Sequence, residues 1–144
     1  MLVRQILGMK GGTDVVTIAS DATVTDAAKL LSEKRIGAVV ATDGSGAPQG
    51  ILSERDIVRE LGRRGEGCLN DSVETLMTRE MISTAPDETT DQVLEKMTAG
   101  RFRHMPVMED GKMTGLISIG DVVKARLSEL SMEKDALEGM IKGF

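Results

Sequence analysis

One stretch of this chain is written twice. Gly50-Ile51-Leu52-Ser53-Glu54-Arg55-Asp56 and Gly115-Leu116-Ile117-Ser118-Ile119-Gly120-Asp121 each place a Gly and two aliphatics ahead of Ser-x-x-Asp and a charged amphipathic run. Self-similarity of this kind decides the architecture before any local reading does. The repeat is longer than its loudest segment. Asp21-Ala22-Thr23 is answered by Asp87-Glu88-Thr89, 66 residues on (from 21 to 87), and Arg35-Ile36 by Arg101-Phe102 at the same displacement. One residue is lost between the turns Asp43-Gly44-Ser45-Gly46 and Glu109-Asp110-Gly111, where a real repeat tolerates it.

Each copy reads in the order β-α-β-β-α. Val15 to Ile18 and Met81 to Thr84 are short strand candidates, with Asp21 and Asp87 ahead of helices at Thr25–Glu33 and Asp91–Ala99. The β-rich runs Ile36–Ala41 and Phe102–Met108 end at Asp-Gly-type turns and return through Gln49–Leu52 and Met113–Ser118. Helices from Glu54 to Arg63 and from Ile119 onward close the units. We therefore expect an α+β fold of two pseudo-symmetric repeats packed as one module: repeat one with an N-terminal lead-in over 1–64, a polar linker over 65–72, repeat two over 73–128 and a helical tail over 129–144. Each half offers about 60 residues, a size at which a single core is marginal, so a core common to both is expected. Val122, Val123, Leu127, Leu130, Leu137, Met140 and Ile141 give the last helix an apolar stripe that suits either the protein's own core or, the reading favoured for a tail past the last repeat element, a partner chain.

Composition removes several classes of function. The net charge of −5 and the near absence of aromatics (Phe102 and Phe144 only) argue against a nucleic-acid partner. A lone Cys68 excludes an intrachain disulfide and a Cys-rich zinc site. No apolar run is long enough to span a bilayer and the N-terminus lacks a signal-peptide core, so a cytoplasmic protein without a membrane partner is expected. The ten Met residues fit as fillers of irregular core gaps. There is no Walker loop, G-x-S-x-G or metal-spaced His/Cys set, so no catalytic role is assigned.

Ser-x-x-Asp at a strand end has two readings. It is close to a helix capping box, with Ser53 and Ser118 accepting from backbone N–H groups and Asp56 and Asp121 set against the helix dipole. A helix N-terminus also favours anions, and a carboxylate beside it can accept both hydroxyls of a ribose. Capping alone does not account for two copies with the same aliphatic lead-in.

With these residues assembled, the chain resembles a pair of CBS domains, the arrangement known as a Bateman module. Besides the two Ser-x-x-Asp segments, the matching residues are Ile36-Gly37-Ala38-Val39-Val40, Arg101-Phe102-Arg103-His104-Met105-Pro106-Val107, Asp-x-Thr before the first helix of each copy, and Leu76-Met77-Thr78. The resemblance spans about Leu2 to Leu127. It implies a sensor of adenine nucleotides (AMP, ATP or NAD) bound in clefts between the repeats. Asp56 and Asp121 would hold ribose, and Ser53 and Ser118 would meet ribose or phosphate. Val16, Thr17, Ile82 and Thr84, with Ala38, Met105 and Pro106, would line the adenine slots. A homodimer is implied too, with an unidentified effector protein as a further partner. Alternatives are a regulatory relative of inosine monophosphate dehydrogenase lacking its barrel, and a structural dimerisation module with inactive sites.

The copies differ inside these motifs. Glu54 and Arg55 of the first stand where the second has Ile119 and Gly120; Gly37 and Ala38 stand where it has Arg103 and His104. Alternation along a strand would send Arg101 and Arg103 to one face and Phe102 and His104 to the other. Two readings follow: an exposed basic rim beside a buried Phe, or a phosphate site using Arg103 and His104.

Overall fold

The computed structural model describes residues 1–11 and 15–142, and the segments 12–14 and 143–144, including the last two residues of the expected tail, lie outside them. The chain is α+β and resolves into two units, one of residues 15–82 and the other of residues 1–11 and 83–142.

In the unit of residues 15–82 the order is β1 (Thr17–Ala19), α2 (Val24–Lys34), β2 (Ala38–Thr42), β3 (Pro48–Ser53), α3 (Glu54–Arg64) and α4 (Val73–Leu76). β1 pairs parallel with β2, and β2 antiparallel with β3, with Val40 opposite Thr17 on one side and Ile51 on the other. Val24, Ala27, Leu31, Val39, Ala41, Leu52, Ile57, Val73 and Met77 form its apolar core. The 3.6-residue spacing of Val24, Ala27 and Leu31 gives α2 its inward stripe.

The other unit opens with α1 (Val3–Met9) and continues with α5 (Thr90–Gly100), β4 (His104–Glu109), β5 (Lys112–Ser118) and α6 (Ile119–Ile141). Val3, Ile6 and Leu7 of α1 share a core with Val93, Met97, Met105, Val107, Ile117, Val122 and Ala125. Each unit thus has an apolar cluster of its own.

The expected strand Met81–Thr84 is reduced to one parallel bridge, Thr84 to Val107. Two prolines explain the loss. In the first unit the N–H of Val40 donates to Val16 O and that of Ser20 to Thr42 O, flanking and extending β1. The matching donors are Pro106 and Pro86, which have no N–H, so only the central bonds, Thr84 N to Pro106 O and Met108 N to Thr84 O, remain.

The lead-in, grouped with repeat one in the sequence reading, packs instead in the unit of repeat two. Val3 N donates to Glu88 O, Arg4 N to Pro86 O and Thr90 N to Met1 O. The same three bonds recur in the first unit from the segment after its closing helix: Val73 N to Ala22 O, Glu74 N to Ser20 O and Val24 N to Asp71 O. Each unit is therefore closed by a segment lying ahead of the other repeat. The expected linker is also structured: Glu66–Asn70 forms a 3-10 turn, Cys68 is fully buried, and Thr25 Oγ1 donates to Leu69 O at 2.9 Å.

Thr23 and Thr89 cap α2 and α5, each in a box with the residue three on, Asp26 or Gln92. Arg101 ends α5 in the left-handed conformation and β4 begins only at His104, so strand alternation does not govern 101–103. Arg103 is nevertheless exposed, while Phe102 packs against the apolar core.

Candidate functional site

Both Ser-x-x-Asp segments fold alike. Ser53 caps α3 and Ser118 caps α6, each accepting the N–H of its own Asp at 3.2 and 3.1 Å. The Asp returns the bond through Oδ2, which accepts the Ser N–H at 2.9 Å in both copies. This is a capping box with Asp in place of Glu. A further backbone bond fixes the strand-to-helix bend: Glu54 N donates to Gly37 O, and Ile119 N to Arg103 O.

The opening glycines have a definite use. A Cβ at Gly50 would lie 2.6 Å from the Thr78 carbonyl oxygen, and one at Gly115 2.8 Å from Leu7 Cδ2. Both therefore make room for the segment that closes the unit.

The candidate residues fall as follows. In the first unit Ala38 lies directly opposite Ser53 across β2 and β3 and is buried. Val16 is half-buried and gives its carbonyl to Val40; Thr17 is exposed, as is Arg55 in the first turn of α3. In the second unit His104 lies opposite Ser118 across β4 and β5, and Arg103 stands at the start of α6 through its carbonyl bond. Met105 and Pro106 are buried, Met105 within the apolar core. Thr84 is buried and its hydroxyl donates to Glu88 Oε2 at 2.8 Å, a carboxylate also paired with Lys96 at 2.6 Å. Ile82 is exposed.

The two acids differ in what neutralises them. Asp56 is buried; its Oδ1 takes Arg59 of the same helix at 2.6 Å, and its Oδ2 takes the Ser53 hydroxyl as well as the Ser53 N–H. Asp121 is paired with Lys10, just past α1, whose Nζ lies 2.9 Å from Oδ2 and also donates to the Leu116 carbonyl at 2.8 Å. Burial pushes the Asp121 carboxyl up, but the Ser118 N–H and the Lys10 ammonium outweigh it and hold the group below its ordinary value. Sequence reasoning missed both cations. Arg59 was findable, three residues from Asp56 on one helix face. Lys10 left no local signal.

Among the described residues no group of three or more His, Cys, Asp and Glu is placed to hold a metal ion, and no helix is long and apolar enough to cross a membrane.

Comparison with known proteins agrees with the fold. The model of the CBS domain matches residues 3–63 and again 73–128. The mitochondrial CBS domain-containing protein CBSX3 of Arabidopsis thaliana is 36% identical over 86% of this chain, which spans 62% of that relative's length. The crystal structure of the CBS-domain containing protein ATU1752 from Agrobacterium tumefaciens superposes with a TM-score of 0.84 at 47% identity, over 87% of this chain and 92% of that one. A CBS domain protein from Pyrobaculum aerophilum complexed with AMP, PAE2072, superposes at 0.76 with 26% identity, over 92% and 99% of the two chains. Matched twice by the family model over residues 3–63 and 73–128, the chain belongs to the CBS-domain family.

Proposed function

We propose that this protein is a non-catalytic regulatory module that binds an adenine nucleotide (AMP, ATP or an NAD-type ligand) at its Ser-x-x-Asp junctions and signals through a ligand-dependent change in a homodimer. The observation that carries the reading is the Asp121 junction. An ionised carboxylate with Oδ1 free of hydrogen bonds from the described residues stands at a helix N-terminus, beside Arg103 and His104 at the mouth of β4. That is an acceptor suited to a ribose diol next to a guanidinium and an imidazole suited to phosphate. The AMP complex of a relative with the same fold supports the same ligand class.

The test is isothermal titration with AMP and adenosine. Asp121→Asn keeps the shape but loses a charge-assisted acceptor, worth roughly 1.5–3 kcal/mol, so AMP should bind about tenfold more weakly or worse. Arg103→Ala should weaken AMP more than adenosine, since it removes a phosphate contact alone. Unchanged AMP binding in both Asp56→Asn and Asp121→Asn would reduce the motif to a cap.

Dimerisation is assigned to α6. Val122 faces the core, but Val123, Leu127, Leu130, Leu137, Met140 and Ile141 are all exposed, spaced three or four residues apart from Val123 to Leu130 and again from Leu137 to Met140. Removing residues 131–144 should shift the protein toward monomer in sedimentation at micromolar concentration. A monomeric intact chain would remove the dimer from the proposal.

A further inference from the structure

The repeat places a different residue at the same point of each unit. The segments that close the units correspond 70 residues apart (Val3 with Val73, Leu7 with Met77), as their matched backbone bonds show. Met77 approaches Gly50 as Leu7 approaches Gly115. In the first unit the carbonyl of Ile51 accepts the N–H of Thr78 at 2.8 Å. In the second, where the closing segment stays helical to Met9, the matching carbonyl of Leu116 accepts Lys10 Nζ. The residue of the first unit that corresponds to Lys10 is Glu80, an exposed acid.

Lys10 is thus tied at two points and delivers its charge to one oxygen of Asp121. A carboxylate offers about four lone-pair positions over two oxygens. At Asp121 the Ser118 N–H and Lys10 share Oδ2, and Oδ1 takes no hydrogen bond from the described residues. At Asp56 both oxygens are engaged, Oδ2 by Ser53 and Oδ1 by Arg59. Arg59 is itself mostly exposed, its side chain 68% accessible against 35% for Lys10.

We propose that Lys10 is a positioning residue of the Asp121 site, engaging one oxygen of that carboxylate and leaving the other to a ribose diol, and that Arg59 competes with the diol at Asp56, so that the Asp121 site fills first. This rests on the nucleotide reading above and adds the rule by which the two sites become unequal. A diol arriving at Asp121 finds an acceptor already oriented. At Asp56 it must displace a guanidinium before it can bind.

The two cations should act with opposite signs, which a purely structural role would not produce. The probe is adenosine, with 2′,3′-dideoxyadenosine as the ligand lacking the diol, titrated against proteins confirmed by thermal melting to be folded. In an Asp56→Asn background, Lys10→Met should lower adenosine affinity by about five- to tenfold and leave dideoxyadenosine binding within twofold; Lys10→Arg should restore most of the loss. In an Asp121→Asn background, Arg59→Ala should raise adenosine affinity by about threefold, and adding Glu80→Lys should raise it further. Equal losses of both ligands in Lys10→Met would mark a fold-supporting lysine and overturn the proposal. So would unchanged affinity in Lys10→Met, or a loss in Arg59→Ala. Should the unaltered protein take up neither adenosine nor AMP, the nucleotide reading itself fails and this inference with it. If Asp121→Asn weakens AMP while Lys10→Met changes nothing, only the inference fails.

Discussion

The junction at Ser53 and the junction at Ser118 are locally the same object. Both begin with a glycine that admits a closing segment, both cap a helix with Ser, and both return the bond from an Asp three residues on. They differ in the cation: Arg59 comes from the same helix turn, whereas Lys10 comes from a residue 111 positions away in the chain (10 against 121). Duplication preserves what a short sequence specifies by itself. It leaves free whatever arrives from a distant segment, and there the copies have diverged.

The largest effect expected from this comparison lies at the glycines. Gly50→Ala would drive a methyl into the Thr78 carbonyl and the Met77 side chain, and so into backbone that forms the bridge to Ile51. Gly115→Ala meets only the end of the Leu7 side chain, which has a rotamer to give. Overpacking costs typically 1–3 kcal/mol, so Gly50→Ala should lose about 2–3 kcal/mol and Gly115→Ala about 1. Chemical denaturation of both variants checks the order. Equal losses would mean that the two closing segments are equally rigid.

Most of the fold was legible because period and turn chemistry are local. The strands and helices that form in each copy follow from apolar spacing and from Asp-Gly-type turns, and their boundaries fall within a few residues of those expected. The strand at Met81–Thr84 was not, because its apolar pattern is intact while its partner donors are prolines in other segments, Pro86 and Pro106. The polar, Gly-rich composition of the linker concealed a 3-10 turn nailed by one buried side chain, Cys68. In the candidate site, Ser53, Asp56, Ser118 and Asp121 were readable as a repeated motif, and the structure places each as a cap. Lys10 was not readable, since a lone lysine at the end of a short helix carries no sign of a carboxylate in the other half of the chain.

A smaller effect probes the Asp121 junction by pH. The folded-state value of Asp121 lies below its unfolded value, so its contribution to stability is present above about pH 4 and is lost as pH falls through the folded value. Glu88 and Glu129 in the same unit are also held low and act in the same direction. Lys10→Met should therefore flatten the acid limb of the stability profile below about pH 4 without abolishing it. Thermal melts of the two proteins from pH 7 down to pH 3 should run parallel at neutral pH and converge in acid. Curves with a constant offset at every pH would show that Lys10 stabilises the fold without acting through Asp121.

The smallest effect asks whether the copies remain alike where no long-range partner intervenes. α2 and α5 each end on an arginine in the left-handed conformation, Arg35 with φ 54° and Arg101 with φ 56°. A side chain in that region costs about 1 kcal/mol relative to glycine, which is why helices so often end on Gly. Both arginines are exposed, so little packing is lost when either is removed. Glycine also gains freedom in the unfolded chain, which offsets part of the relief. Arg35→Gly and Arg101→Gly should each raise stability by about 0.5 kcal/mol, and together by about the sum, since the two sites share no partner in either unit. Carbonyls in the last turn of α2 are served, Leu31 O and Ser32 O accepting from Arg35 N and Leu31 O also from Ile36 N, so the gain there depends on the backbone alone. A gain at one arginine and a loss at the other would show that a guanidinium has acquired a partner in one copy only. The helix ends would then have diverged in the same way as the acids.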